Sequence, residues 1–161
     1  MGGLTLLDQA QKAGLAVRAE GGKLVMRGPK RAEPVVRLLE AHKGEVITAL
    51  ADEARDWQAR HREAIHHWAT QHDRDEAARL AWGELEDRWH KLHGVQVPAS
   101  RCAGCGGAIA GGTPIFDMGD GNQVHFDSLD CLIRYGQRWR GTATRALVAM
   151  GLQPPAGERD R

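Results

Sequence analysis

Residues 101–109 read RCAGCGGAI, two cysteines and three glycines in nine positions, and the one other cysteine of the chain is Cys131. Four readings of this stretch compete. A disulfide between Cys102 and Cys105 needs an oxidising compartment, yet the chain does not start with a charged segment followed by an apolar export segment, so a reducing cytoplasm is expected. A thioredoxin-type redox pair belongs at a helix N-terminus after a βαβ pattern, whereas Cys-Ala-Gly-Cys-Gly-Gly leads into strand and turn residues. An idle glycine loop leaves the cysteine spacing unexplained. The fourth reading is a metal knuckle. Two thiolates separated by two residues grip one ion if the chain turns tightly around them. Gly104, Gly106 and Gly107 permit that turn and let backbone N–H groups point at the sulfurs.

The following residues supply a second ligand pair. Thr113–Met118 reads as a strand, with Pro114 tolerable on an edge. Gly119-Asp120-Gly121-Asn122 reads as a hairpin turn and Gln123–Phe126 as the return strand. Asp127 or Ser128 then caps a helix from Leu129 to about Arg140. Gly141 divides it from a helix over Thr142–Met150, which Gly151 and Pro154-Pro155 end. His125 ends the strand and Cys131 falls in the first helical turn, giving Cys-x2-Cys-x19-His-x5-Cys. This knuckle, hairpin and helix resembles the treble-clef zinc-finger class. The last pair of that class is commonly closer, so Asp127 and Asp130 stand as alternatives to His125. The spacing and the resemblance together imply one structural Zn2+ on Cys102, Cys105, His125 and Cys131. Four protein ligands would close the sphere and leave no place for a catalytic water.

The N-terminal third is built differently. Gly3–Ala13 places Leu4, Leu7 and Ala10 on one helical face, and Gly14 is a helix stop. Leu15 and Val17, then Leu24 and Met26, alternate with polar or small residues around Glu20-Gly21-Gly22, a hairpin with a tight turn. Pro34 suits the first turn of a helix that carries Val35, Val36, Leu38 and Leu39. His42-Lys43-Gly44 reads as a break before Val46, Ile47 and Leu50 start another helix. This αββαα order resembles the TubC N-terminal docking domain family. The matching residues are Leu6-Leu7, Gly14-Leu15-Ala16-Val17, Lys23-Leu24, Gly28-Pro29-Lys30, Leu38-Leu39, Lys43, Val46-Ile47 and Leu50, over about 48 residues. The resemblance implies a small homodimer that docks a protein partner through its hairpin. The candidate surface is then Val17, Arg18, Lys23, Val25 and Arg27. Relatives of that module also stand on small proteins of phages and mobile elements, whose layout this chain resembles.

Residues 45–93 are helix-prone and charged, and read as two antiparallel helices, about 45–70 and 74–92. Trp57, Trp68, Trp82 and Trp89 recur near whole numbers of turns, as one buried stripe would. Asp73 is the expected N-cap, with Glu76 as its capping-box partner. His61, His66, His67 and His72 cluster on the first helix, and Glu63 and His67 share a face, but no HExxH pattern is present and a solvated face is the simpler reading. No GxxxxGK[ST], GxGxxG or GxSxG pattern occurs, and neither Ser100 nor Ser128 sits in a nucleophile motif.

Charge separates the thirds. Residues 1–50 carry eight Lys/Arg against five Asp/Glu, residues 51–100 seven against ten, and residues 101–161 seven against six, giving +3, −3 and +1. A net +1 points to neither nucleic acid nor membrane, and no apolar run approaches the roughly 18 residues of a spanning helix. Locally, Arg134, Arg138, Arg140 and Arg145 follow Cys131 with no acid between Asp130 and Glu158. Leu132, Tyr135 and Trp139 would face inward and Arg134, Arg138 and Arg145 outward, where they could meet phosphates, an acidic partner or the acidic middle segment.

The fold expected is modular α+β. A docking-like αββαα module over 1–50 precedes a helical hairpin over 51–94 and a linker over 95–100. A treble-clef-like zinc module with a C-terminal helix over 101–151 and a flexible tail over 152–161 complete the chain. The leading functional expectation is a non-catalytic zinc-binding adaptor acting through protein–protein contact in the cytoplasm. The alternative is a nucleic-acid binder using the arginine helix. A zinc enzyme would need one labile ligand.

Overall fold

The structure is a computed structural model that describes residues 2–125 and 128–156. It is mixed helix and strand, with five helices and two small antiparallel hairpins among those residues. The chain divides into two compact units. The first runs to Ala59 and takes in Ala149–Gly151, and the second begins at Arg60 and takes in Leu152.

In the first unit, α1 (Gly3–Lys12) ends because Gly14 adopts φ +75°, closed to side-chain-bearing residues without strain. The Leu15 N–H then reaches back to Ala10 O and the Gly14 N–H to Gln11 O, satisfying carbonyls that the helix end would orphan. Strands β1 (Ala16–Glu20) and β2 (Lys23–Arg27) pair Val17 with Met26 and Arg18 with Val25. Gly21 and Gly22 both have positive φ, as a two-residue turn matched to strand twist requires. A 3-10 turn at Lys30–Ala32 leads into α2 (Glu33–Ala41), and α3 (Lys43–Trp68) follows after His42. Leu6, Ala10, Leu15, Ala32, Leu39 and Val46 form the buried centre, with Leu7, Val17, Leu24, Met26, Val36 and Leu50 packed around it.

Two expectations change here. Leu4 is 70% exposed, whereas Ala10 is buried and Leu7 packs against the core as expected, with Leu6 joining them on the inward face of α1. Gly3 sits one turn before Leu7, where a Cβ would collide with Glu45 O and Ala49 Cβ, so α1 approaches α3 through its glycine end. The expected boundary at residue 50 falls inside α3, whose 26 residues run without a break.

In the second unit, α4 (Arg74–His93) starts at Asp73, whose Oδ1 accepts from the N–H groups of Glu76 at 2.9 Å and Asp75 at 3.0 Å. These bonds, Glu76's first, hold the Asp73 carboxyl below its ordinary value. The capping box is only half made, because the Glu76 carboxylate turns to His72 Nδ1 at 3.1 Å. The single tryptophan stripe does not form. Trp57 and Trp82 are buried, but Trp68 and Trp89 are half-buried at helix ends, where Trp68 Nε1 donates to Glu84 and Trp89 stacks on His93.

Strand β3 (Ile115–Asp117) is shorter than expected, and it pairs with β4 (Gln123–His125), Phe116 opposite Val124. Phe126 and Asp127, expected as strand end and helix cap, lie outside the described residues. Helix α5 (Leu129–Ala149) is continuous through Gly141 rather than split there. A glycine costs a helix only about 1 kcal/mol, and along the four-residue series Cys131, Tyr135, Ala143 and Leu147 are buried and Trp139 half-buried, so one inward stripe carries the helix across it. Leu132, expected inward, is 37% exposed because it lies a quarter-turn off that stripe. Between α4 and α5, Glu86 is buried and accepts from Trp82 Nε1 at 2.9 Å and from the Thr144 hydroxyl.

The core assignment can be tested by urea unfolding. Leu39→Ala should destabilise the protein by about 2–5 kcal/mol through lost burial and the cavity left behind. Leu4→Ala should change stability by less than about 0.5 kcal/mol, because its side chain stands in water already.

Candidate metal centre

Four side chains converge in the second unit. One ligand atom each from Cys102, Cys105, His125 and Cys131 lies within 4.8 Å of every other. His125 Nδ1 is 3.8 Å from Cys105 Sγ and 3.9 Å from Cys131 Sγ. This group could hold a metal ion. Among the described residues no second group of three or more cysteines, histidines or carboxylates converges in this way. Asp130 is exposed and stands outside the cluster, and Asp127 is not among the described residues. The His61, His66, His67 and His72 series forms no site. His61 sets its ring edge-on to Trp82, and burial pushes its pKa down, while His67 lies against Trp68.

Local backbone chemistry shapes the knuckle. The Cys102 N–H donates to Gly107 O at 2.8 Å and the Gly106 N–H to Cys102 O at 2.7 Å, with Gly106 at φ +74°. A bridge between Arg101 and Ala108 closes the base of the loop. The Gly107 N–H points at Cys105 Sγ from 3.4 Å. On the far side, the Ala103 N–H donates to Gln123 O at 2.7 Å, which docks the knuckle on β4 two residues before His125. Gly104 faces α5. A Cβ there would collide with Cys131 O and come within 2.7 Å of Cys131 Cα, so only glycine lets the knuckle reach the helix that supplies the last sulfur.

The thiols do not titrate alike. Burial would raise Cys102, but hydrogen bonds from the backbone of Cys105, His125 and Gly104 and from the Cys105 thiol outweigh it, bringing Cys102 down to about 7. At Cys131 the Ser128 hydroxyl favours the thiolate, yet burial and the neighbouring Cys105 and Cys102 sulfurs push it up. The Cys102 thiolate therefore opposes ionisation of Cys131, and a cation between the two would offset that repulsion. The donor set, three soft sulfurs and an imidazole, suits such a cation.

A polar network braces the hairpin that carries His125. His90 Nε2 on α4 lies 2.6 Å from Asp120 Oδ2 and 2.9 Å from the Tyr135 hydroxyl. The buried Asn122 donates through Nδ2 to both Asp120 and Tyr135 and accepts from the Val97 N–H at 2.8 Å. The His90 ring stacks on Trp139, 4.7 Å between centroids. Burial would raise the Asp120 carboxyl, but His90 and the Asn122 N–H groups hold it below its ordinary value.

The other candidate residues are more scattered. Arg18, Lys23, Val25 and Arg27 share the outer face of the β1–β2 hairpin, and Arg18 pairs with Glu20 at 3.0 Å. Val17 lies on the opposite face, packed into the core. On α5, Arg134, Arg138 and Arg145 fall within about 40° of one another by helical phase. Arg140 points elsewhere, over the Trp139 ring at 5.3 Å. Arg138 donates to Gly104 O at 2.8 Å and Ala103 O at 3.2 Å, a tie to the knuckle that the sequence reading missed. Its signal was available, since Arg138 follows Cys131 by two helical turns. The Gly104 approach and the His90–Asp120–Tyr135 network left no pattern in the sequence. No protein-family model, curated protein or solved structure matches the chain.

Two outcomes follow from this geometry. Gly104→Ala should weaken binding of added metal while Gly106→Ala, whose added Cβ meets open space, is limited to the strain of its positive φ; titration with Co2+, read by its thiolate absorption, compares them. Asp120 has a lowered folded-state pKa, so its contribution is present above its ordinary value and is lost as pH falls through the lower one. The gap in urea midpoint between the parent and Asp120→Asn should be present at about pH 5 and shrink as pH falls below about 4.

Proposed function

We propose that this protein is a non-catalytic adaptor in which one structural Zn2+ shapes the second unit and the β1–β2 hairpin contacts a protein partner. The observation that carries the reading is the closed donor set of Cys102, Cys105, His125 and Cys131. Three sulfurs and one nitrogen satisfy a tetrahedral ion completely, and that softness favours zinc over magnesium or calcium. A filled sphere offers no position to a substrate or an attacking water, which sets a zinc hydrolase aside. The hairpin supports the partner half of the reading. Arg18, Lys23 and Arg27 surround Val25 on an exposed face, a surface suited to an acidic protein with an apolar anchor. The likeness of residues 3–50 to a TubC docking module and of residues 101–151 to a treble clef belongs to this reading. So do a homodimer through the first unit, a cytoplasmic setting and a phage or mobile-element origin.

Nucleic-acid binding is the second reading, and Arg134 and Arg145 support it because both are exposed on one face of α5. It is the weaker one, since Arg138 between them is engaged by the knuckle.

Metal analysis of the folded protein purified without chelator should give one equivalent of zinc, and Cys131→Ser should hold far less. Less than half an equivalent in the parent would overturn the zinc reading. Titration with mixed-sequence DNA and RNA from 50 to 200 mM salt should detect no salt-steep binding. Binding that falls steeply with salt and is lost in Arg134→Gln/Arg145→Gln would replace the adaptor with the second reading.

A further inference from the structure

We infer that Arg138 is a positioning residue of the metal centre, a clamp that fixes the peptide planes between Cys102 and Cys105 so that both sulfurs face one point. The inference rests on the metal reading above. The two carbonyls Arg138 binds, Ala103 O and Gly104 O, belong to the only two residues between those ligands. Arg138 holds the Ala103 and Gly104 carbonyls toward itself, and in a trans peptide the N–H points opposite its carbonyl, so the Gly104 and Cys105 N–H groups are held on the inner side of the loop, where the Gly107 N–H meets Cys105 Sγ at 3.4 Å. Rotation of either plane would swing an N–H out of that side. A guanidinium offers two N–H groups in a rigid fork, which matches two successive carbonyls, and a lysine ammonium cannot span both in the same way.

Helix α5 makes the arrangement self-consistent. Arg138 follows Cys131 by seven residues, about two turns, so the ligand and the clamp share one face of one rigid element. Gly104 rests on the Cys131 backbone while its carbonyl takes the arginine two turns on. The knuckle is thereby gripped at both ends of a single helical span. Charge points the same way. Three thiolates with a divalent cation leave a net −1, and Arg138 brings a fixed positive charge to the loop that bears two of those thiolates.

The test is competition for Zn2+ between a chromophoric chelator and the full chain, comparing the parent, Arg138→Gln, Arg138→Lys and Arg134→Gln. Arg138→Gln should bind zinc at least about tenfold more weakly, in line with loss of a partner that orients a ligand. Arg138→Lys, which keeps the charge and folds if glutamine is not tolerated, should recover only part of that loss. Arg134→Gln, on the same face but free of the knuckle, should stay within about twofold of the parent. With Co2+ in place of zinc, Arg138→Gln should show a changed thiolate-to-metal band while its far-UV circular dichroism stays that of the parent. An affinity for Arg138→Gln within twofold of the parent overturns the clamp and leaves the metal reading standing, as does an equal loss in Arg134→Gln. A parent that takes up no metal at all overturns both.

Discussion

The contact between Gly104 and the backbone of Cys131 is the tightest constraint in the second unit. Two chain segments nearly thirty residues apart meet with no side chain between them. That approach brings the sulfurs of Cys102 and Cys105 to the first turn of α5, where the third sulfur waits. Everything nearby is arranged to permit it. Gly106 takes the left-handed turn that folds the loop back, β4 receives the Ala103 N–H, and His125 completes the group from the end of that strand.

The apolar material around this centre is slight. Cys102, Ala103, Val124, Cys131 and Tyr135 form the buried cluster, with Val97, Ile109, Met118 and Trp139 at its margin. Two of its five members, Cys102 and Cys131, are themselves candidate ligands. A hydrophobic core of this size stabilises little on its own, which is why small domains so often add a metal. The polar network of His90, Asp120, Asn122 and Tyr135 supplements it by joining α4, the hairpin turn and α5 through bonds with every buried polar side-chain atom partnered among the described residues. The first unit needs no such device, because Leu6, Leu39 and Val46 come together from three helices around the hairpin.

Spacing and punctuation made much of this legible in the sequence. Cys-x2-Cys with three glycines, a hairpin turn and a helix carrying Cys131 placed the four candidate ligands, and glycine pairs placed the first hairpin. What stayed illegible depended on tertiary partners. Leu4 and Leu6 both satisfy a helical period, and only the neighbouring helices decide which turns inward. Gly141 reads as a stop until the buried series around it, Tyr135 to Leu147, is known to continue. Arg138 reads as one of three solvent-facing cations because its two-turn spacing from Cys131 fixes a shared face but not the two carbonyls, 34 and 35 residues upstream, that it meets there. The tryptophan intervals misled for a related reason, since periodicity fixes a face but not how far along the helix that face remains covered.

The order in which the ligands occur along the chain has a consequence for how the second unit can assemble. Cys102 and Cys105 are close enough in sequence to meet in an otherwise unstructured chain, at almost no loop-closure cost. His125 and Cys131 reach them only after the β3–β4 hairpin has closed and the first turn of α5 has formed. An ion captured early by the first pair would turn a long, entropically expensive search into the folding-back of a tethered hairpin, with each later ligand locking an element already in place.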